Sequence, residues 1–349
     1  MGNKFFGVRN KGCRIREYTA DGLRCVSLEN HLIRVGILLD KGADIFEFVY
    51  KPQDVDFMFH SPLPFAKDVI PTAANPAGNF MDFYEGGWQV MFPGISTGGC
   101  VYGAALGMHG EAALLAWDME VLTDHASEIS VRFSVRTLRF PFRLSRTLTL
   151  RENDCTLSIE EQIVNEGRQE VSYQWGQHPA LGGGFLDDSC EICVDGNPAV
   201  QAVQTDLGET CCLAPGQQGV WPTAVGRDKE AVDLSVVHGM DSREYREFGL
   251  SGLKEGAFEV RNRRLQLGFG MKWDKEVFPY LWVWQMYGGG ADYPFYGRAY
   301  TLALEMWNSL PGGLEHAVAA GTAPRLKEGE SIRTSYEVFV RDYMSVRDC

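Results

Sequence analysis

The chain is short of positive charge. Its 33 lysines and arginines face 46 aspartates and glutamates, a formal net charge of -13. No basic patch is available to neutralise phosphates, so nucleic acid is not an expected partner. The same deficit disfavours anionic membrane surfaces. No apolar run approaches the roughly 20 residues of a membrane span, and the first residues lack the apolar core of a signal peptide. The nine cysteines are an odd number spread over 349 residues. That suits a reducing cytoplasm better than a disulfide framework. Gly-Lys-Ser/Thr and His-Glu-x-x-His do not occur. Gly182-Gly-Gly184 and Gly288-Gly-Gly290 lack the helix that a dinucleotide fingerprint requires, and no nucleophile elbow is proposed. Cys190-Glu-Ile-Cys193 with Cys211-Cys212 only faintly matches a zinc site. The second pair is adjacent, and on a strand Cys190 and Cys193 face opposite ways. Neither a metal nor a cofactor is expected.

Helical periodicity and internal repeats are also missing. What is present is glycine, at 39 residues, and aromatics, at 12%. Many turns and many rings favour β structure. Period-two alternation is clearest over residues 128–175, where Ile129, Val131, Phe133 and Val135 alternate with polar neighbours. Arg264–Trp273 and Ser331–Val340 read the same way, and Ala112–Val121 is a further strand candidate. Residues 51–80, rich in proline and asparagine, read as a long irregular excursion, and 311–330 as a connector. The expected fold is all-β: one large antiparallel β-sandwich with long loops over residues 23–349. Residues 1–22 precede it as an N-terminal arm or edge hairpin.

One stretch conflicts with its own pattern. Tyr300-Thr-Leu-Ala-Leu-Glu305-Met-Trp307 is a buried strand carrying a carboxylate among apolar residues. Such a group is costly unless paired or used. Two histidines stand in suitable settings: His109 in Gly107-Met-His-Gly-Glu111, and His178 in Trp175-Gly-Gln-His-Pro179. Trp88, Trp175, Trp282 and Trp284 could stack on a bound ligand or simply fill the core. Alternation puts Trp282 and Trp284 on one face of their strand and Gln285 on the other.

In order and spacing, His109-Gly110, His178-Pro179 and Leu302-Ala-Leu-Glu305 resemble the aldose 1-epimerase (galactose mutarotase-like) family. Gly86-Gly-Trp-Gln-Val-Met-Phe-Pro93 and Trp175-Gly-Gln-His-Pro-Ala-Leu-Gly182 are similar to one bacterial branch of it. The resemblance implies a sugar cleft on a twisted β-sandwich, and interconversion of the α and β anomers of a free aldose by ring opening. Glu305 matches the catalytic base and His178 the acid, placed on opposite sides of the sugar and needing no cofactor. His109 matches a second, substrate-binding histidine. Trp88, Gln89, Trp175, Trp284 and Gln285 are the further substrate-binding candidates. The chain departs from better-known members in two places. Pro93-Gly-Ile-Ser-Thr-Gly-Gly-Cys100 holds no arginine, and position 177 is Gln where this branch suggests His. A neutral sugar is therefore expected over a phosphosugar. The alternatives are a non-catalytic sugar-binding protein of the same fold and a glycoside-processing enzyme.

Overall fold

In the Phe142–Arg151 strand every second residue is buried: Phe142, Leu144, Arg146, Leu148 and Leu150. The opposing Thr156–Asn165 strand answers with Leu157, Ile159, Glu161 and Ile163. Such alternation makes one face of a sheet apolar, and that face must be covered. The computed structural model describes residues 9–63, 78–310 and 312–344, and in it two antiparallel sheets cover each other.

The larger sheet begins with Arg14–Ala20, the edge strand, hairpinned onto Leu23–Glu29. It continues through Ile33–Leu38, Asp44–Tyr50, Trp88–Met91, Gly176–Leu181, Tyr300–Trp307, Tyr280–Tyr287, Glu244–Ser251 and Ala199–Ala202, then three short strands. The second sheet has eight strands and runs from Cys190–Cys193 to Asp118–Asp124, with Ser331–Asp342 and Thr156–Asn165 at its centre. Aromatic rings join the two. Phe48 meets Phe269 edge-on with centroids 5.6 Å apart, and Phe92 meets Phe142 at 5.1 Å. This interface is the main core.

Strands at the middle of the larger sheet are buried on both faces, which is why Tyr300–Trp307 and Tyr280–Tyr287 read as nearly continuous apolar runs. Their second face is covered by Phe80 and Tyr84, at and just after the short helix Gly78–Asp82, and by Phe295 from the 288–299 loop. That outer layer holds the candidate site.

Two local expectations change. Ala112–Leu114 is a turn of 3-10 helix rather than strand, and pairing resumes only at Asp118–Asp124. The connector contains a helix, Gly313–Ala319, which buries Leu314 and Ala317 and whose Glu315 accepts from the Cys100 amide at 3.1 Å. Burying this apolar stripe stabilises a helix too short to persist alone. Of the expected 51–80 excursion, residues 64–77 lie outside the described residues, as do residues 1–8 of the arm. Among the described residues no helix is long and apolar enough to cross a membrane.

Arg146 and Glu161 are directly opposite in register and face the core as an ion pair at 3.1 Å. Tyr336 and Gln177 also donate to Glu161, at 2.7 and 2.9 Å. Removing one partner strands the other in the core. Arg146→Met is expected to lower unfolding free energy by about 3 kcal/mol. The double variant with Glu161→Gln should recover most of that loss, as read by urea denaturation.

Candidate functional site

The site is a single row of side chains crossing neighbouring strands. Gln89 lies opposite His178, and Glu305 opposite Trp282, which in turn lies opposite Gly249. Gly176 pairs with Trp307 and Ala180 with Ala303, so the same register sets His178 beside Glu305. Paired residues project to the same side of a sheet, so all of these face the outer layer. His178 and Glu305 are only 5% and 2% exposed. His178 Nε2 and Glu305 Oε1 stand 3.5 Å apart. The two groups are therefore side by side, not on opposite sides of a ligand as expected. The cause is the register: they come from adjacent strands of one sheet.

Two glycines allow two indoles to lie flat on this face. A Cβ on Gly176 would sit 2.7 Å from the Trp307 ring, and one on Gly249 would sit 2.7 Å from Trp282. The indoles stack with centroids 5.1 Å apart and planes 12° from parallel. Trp307 Nε1 donates to Glu305 Oε2 at 3.1 Å. The base is thus floored by aromatic surface and held by one neutral donor.

This environment inverts the ordinary order of proton affinity. Burial, reinforced by the neighbouring Glu247 charge, pushes Glu305 well above the usual carboxylate range, and the Trp307 donor only partly offsets it. Burial pulls His178 down to about 4. His109 is also driven well below its usual value, by burial and by His178. A proton delivered to the Glu305–His178 pair rests on the glutamate, leaving the imidazole neutral.

His109 reaches the same place from a loop. It adopts φ of 60°, a conformation uncommon for a side-chain-bearing residue. Gly110 next to it touches the Phe92 carbonyl so closely that a Cβ would lie 2.4 Å away. Strain of this kind persists where the surroundings over-determine it. The His109 ring is 5.4 Å from that of His178 and 4.4 Å from Phe80. Trp284 joins them, 5.7 Å from His178.

Three sequence candidates are placed elsewhere. Trp88 faces the inter-sheet core, donating to Gln177 at 2.9 Å beneath the Arg146 guanidinium. Trp175 is fully buried against Phe278. Gln285 points to the far side of its strand, where it donates to the Leu234 carbonyl and receives Arg246. Each falls on the opposite parity of its strand from the His178–Glu305 row. Gln177, at the unexpected position, likewise faces inward and binds Glu161.

Several groups at the site were not singled out from sequence. Glu247 lies half-buried opposite Trp284, takes a hydrogen bond from Tyr245 Oη at 3.3 Å, and is pushed by desolvation to about 7. Its signal was weak: it directly follows the charged stretch Glu244-Tyr-Arg246, and only Phe248-Gly-Leu250 after it is apolar. Tyr84 packs edge-on to His178 at 5.7 Å. Around His178 and Glu305, buried polar atoms without a hydrogen-bond partner include Tyr84 Oη, Gln89 Oε1, His109 Nδ1 and His178 Nδ1. Orphans are few in native interiors, and a cluster of them marks a place where a polar ligand belongs.

Rival motifs weaken in three dimensions. Gly94-Ile-Ser-Thr-Gly98 has the Gly-x-Ser-x-Gly spacing, but it joins two strands rather than a strand to a helix. Cys190 is buried and Cys193 half-exposed on its strand, as opposite faces require. Among the described residues no group of three or more His, Cys, Asp or Glu is arranged to hold a metal ion.

No family model and no curated protein matches the sequence. Solved structures do. A proposed aldose 1-epimerase from Klebsiella pneumoniae superposes with TM-score 0.71 at 13% identity, over 94% of this chain and 83% of its own. A galactose mutarotase-like protein from Clostridium acetobutylicum gives TM-score 0.66 at 14% identity, covering 95% and 100%. A proposed aldose 1-epimerase from Escherichia coli gives 0.61 at 14%, covering 94% and 99%. The fold is therefore the galactose mutarotase-like β-sandwich, shared at a level of sequence identity that leaves activity to be argued from the site.

The Glu247 shift carries a stability consequence. Its carboxyl holds its proton to about pH 7 in the folded protein, against 4.5 for an ordinary glutamate. Between those limits the native state binds more protons than the unfolded one, so stability falls as pH rises. Melting temperatures measured from about pH 5 to about pH 8, across most of that window, should decline more steeply for the wild type than for Glu247→Gln.

Proposed function

We propose that the protein is an aldose mutarotase, interconverting the α and β anomers of an uncharged free sugar through the open-chain aldehyde. The observation that carries this reading is the Glu305–His178 pair, 3.5 Å apart and buried beside unpartnered polar atoms. Mutarotation moves two protons between oxygens bonded to the same carbon. A base takes the proton of the C1 hydroxyl while an acid protonates the ring oxygen, the C1–O5 bond opens, and the carbonyl rotates before closure on its other face. Two side-by-side groups sharing one proton suit that geometry. In the reacting form, with the shared proton on the imidazole, Glu305 accepts from the hydroxyl and His178 Nε2 donates to the ring oxygen; this leaves a protonated glutamate and a neutral imidazole, and ring closure reverses both transfers. Because the starting and finishing states are chemically alike, the pair needs only to exchange the proton between its members.

The surroundings support the roles. Stacked Trp282 and Trp307 with Trp284 offer apolar surface to a pyranose ring, while His109, Tyr84 and Gln89 offer polar atoms for its hydroxyls. Among the described residues no lysine or arginine pairs with Glu305 or Glu247, whose polar neighbours are His178, Trp307, Tyr245 and Trp282. Two nearby carboxyl groups disfavour a phosphosugar. A cytoplasmic setting belongs to the same proposal and agrees with the free thiols of Cys13, Cys25, Cys100, Cys190, Cys193, Cys211 and Cys212.

Polarimetry or NMR exchange spectroscopy on freshly dissolved aldoses tests the activity. Glu305→Gln should abolish acceleration, and His178→Asn should slow it by about 10²- to 10⁴-fold, the usual worth of a positioned acid or base. Binding without acceleration would identify a non-catalytic sugar-binding protein. Release of nitrophenol from nitrophenyl glycosides would instead support a glycosidase using Glu305 with Glu247.

A further inference from the structure

Behind Gln89 lies a buried ionic cluster that the acid–base chemistry does not use. Lys41 Nζ sits 2.7 Å from Asp44 Oδ2 and 2.7 Å from Glu85 Oε2, with side chains 2%, 0% and 4% exposed. Gln89, itself fully buried, directs Nε2 at this cluster. It is 2.6 Å from the Gly86 carbonyl oxygen, 3.3 Å from Glu85 Oε1 and 3.4 Å from Asp44 Oδ2. All three are acceptors. Lysine carries only donors, so it fixes both carboxyl groups as acceptors toward it and leaves lone pairs that only another donor can meet. The amide NH2 is that donor. A flipped amide would press its oxygen against three oxygens and leave its NH2 unmet.

The orientation of Gln89 is therefore determined by its neighbours rather than free to invert. Its Oε1 points away from the cluster, is buried, and has no partner. Gln89 is the cross-strand neighbour of His178, whose Nδ1 is likewise unpartnered. A hydroxyl group both donates and accepts, so it is the kind of ligand atom that can serve an orphan acceptor and an orphan imidazole nitrogen together.

We propose that Lys41, Asp44 and Glu85 form an orientation lock on the Gln89 amide, and that the locked Gln89 carbonyl oxygen accepts from one sugar hydroxyl near the reacting carbon, making Gln89 a specificity-determining residue. This rests on the sugar-binding part of the functional reading, not on turnover. Gln89 touches the ligand. Lys41, Asp44 and Glu85 act through it as positioning residues. Burial pushes Asp44 well above the usual carboxylate range and Lys41 draws it back, with Glu85 acting in the same upward direction as burial. A site that orients a buried acceptor for a hydroxyl rejects an analogue lacking it, because the acceptor is left unpaired.

The test uses D-glucose, D-galactose and their singly deoxygenated forms, with Kd read by NMR titration and KM and kcat by polarimetry. Glu85→Gln removes the charge that holds the amide, and Gln89→Met removes the acceptor while keeping the Lys41 pairing. Both are expected to raise Kd and KM about five- to tenfold, the worth of one hydrogen bond, with kcat nearly unchanged. With one deoxy sugar, the one lacking the hydroxyl in question, wild type and variants should bind alike. Equal weakening across every sugar would show general destabilisation and overturn the proposal, as would unchanged Kd in Gln89→Met. Binding without turnover in the wild type would remove the mutarotase reading while the Kd ratios still decide this one. No binding of any of these sugars would overturn both.

Discussion

The structure depends on keeping a carboxylate, Glu305, inside a sheet. Taking such a group out of water costs several kcal/mol unless donors or charges replace the solvent. Here the replacement is sparse, a single indole donor and an imidazole at 3.5 Å. The cost is not removed, and it shows as a proton affinity raised well above normal. The rest of the site follows from that constraint. Histidines that would be cationic in water are held neutral by the same burial. The walls are indoles and phenyl rings, which exclude water without adding charge. A base poised in this way has its ionisation set by what enters beside it.

The fold maintains the constraint with two different buried networks, one on each face of the strands that bear the site. On the core side, Arg146, Glu161, Tyr336 and Gln177 tie the second sheet to the strand of His178. On the outer side, Lys41, Asp44, Glu85 and Gln89 brace the neighbouring strand and the turn that leads to Tyr84. Adjacent positions in the chain, Gln177 and His178, serve opposite sides because strand side chains alternate. The inner network gives rigidity. The outer one fixes the direction in which the Gln89 amide faces.

Much of the site was legible because burial and chemistry conflict on the page. Glu305 stood out as a charge in an apolar run, and His109 and His178 as histidines at loop and strand ends. Glu247 escaped although its environment is similar, because Glu244-Tyr-Arg-Glu247 presents alternating charges that look like a solvated face. Arg246 in that run is in fact 1% exposed, held by Glu244 and Gln285 on the other side of the strand. Trp88, Trp175 and Gln285 were misassigned for a related reason. Periodicity tells which residues share a face but not which face meets the ligand. The helix Gly313–Ala319 escaped because its stability comes from the surface it covers, which local pattern does not show.

The sequence by itself determined the all-β class and the antiparallel meander of residues 128–175, and it singled out Glu305 and His178. Those are carried by local alternation and by single residues whose burial is implausible without use. Only the tertiary structure decided the geometry between them. Register across Gly176–Leu181, Tyr300–Trp307 and Tyr280–Tyr287 placed His178 beside Glu305 rather than across from it, and brought Trp282 and Glu247 into the same row. It also showed that Lys41, Asp44 and Glu85, distant or unremarkable in the chain, converge on one amide. The physical reason is that strand pairing is a non-local choice. A chain records which side chains alternate, whereas which strands become neighbours, and with what offset, is settled by the packing of the whole sheet.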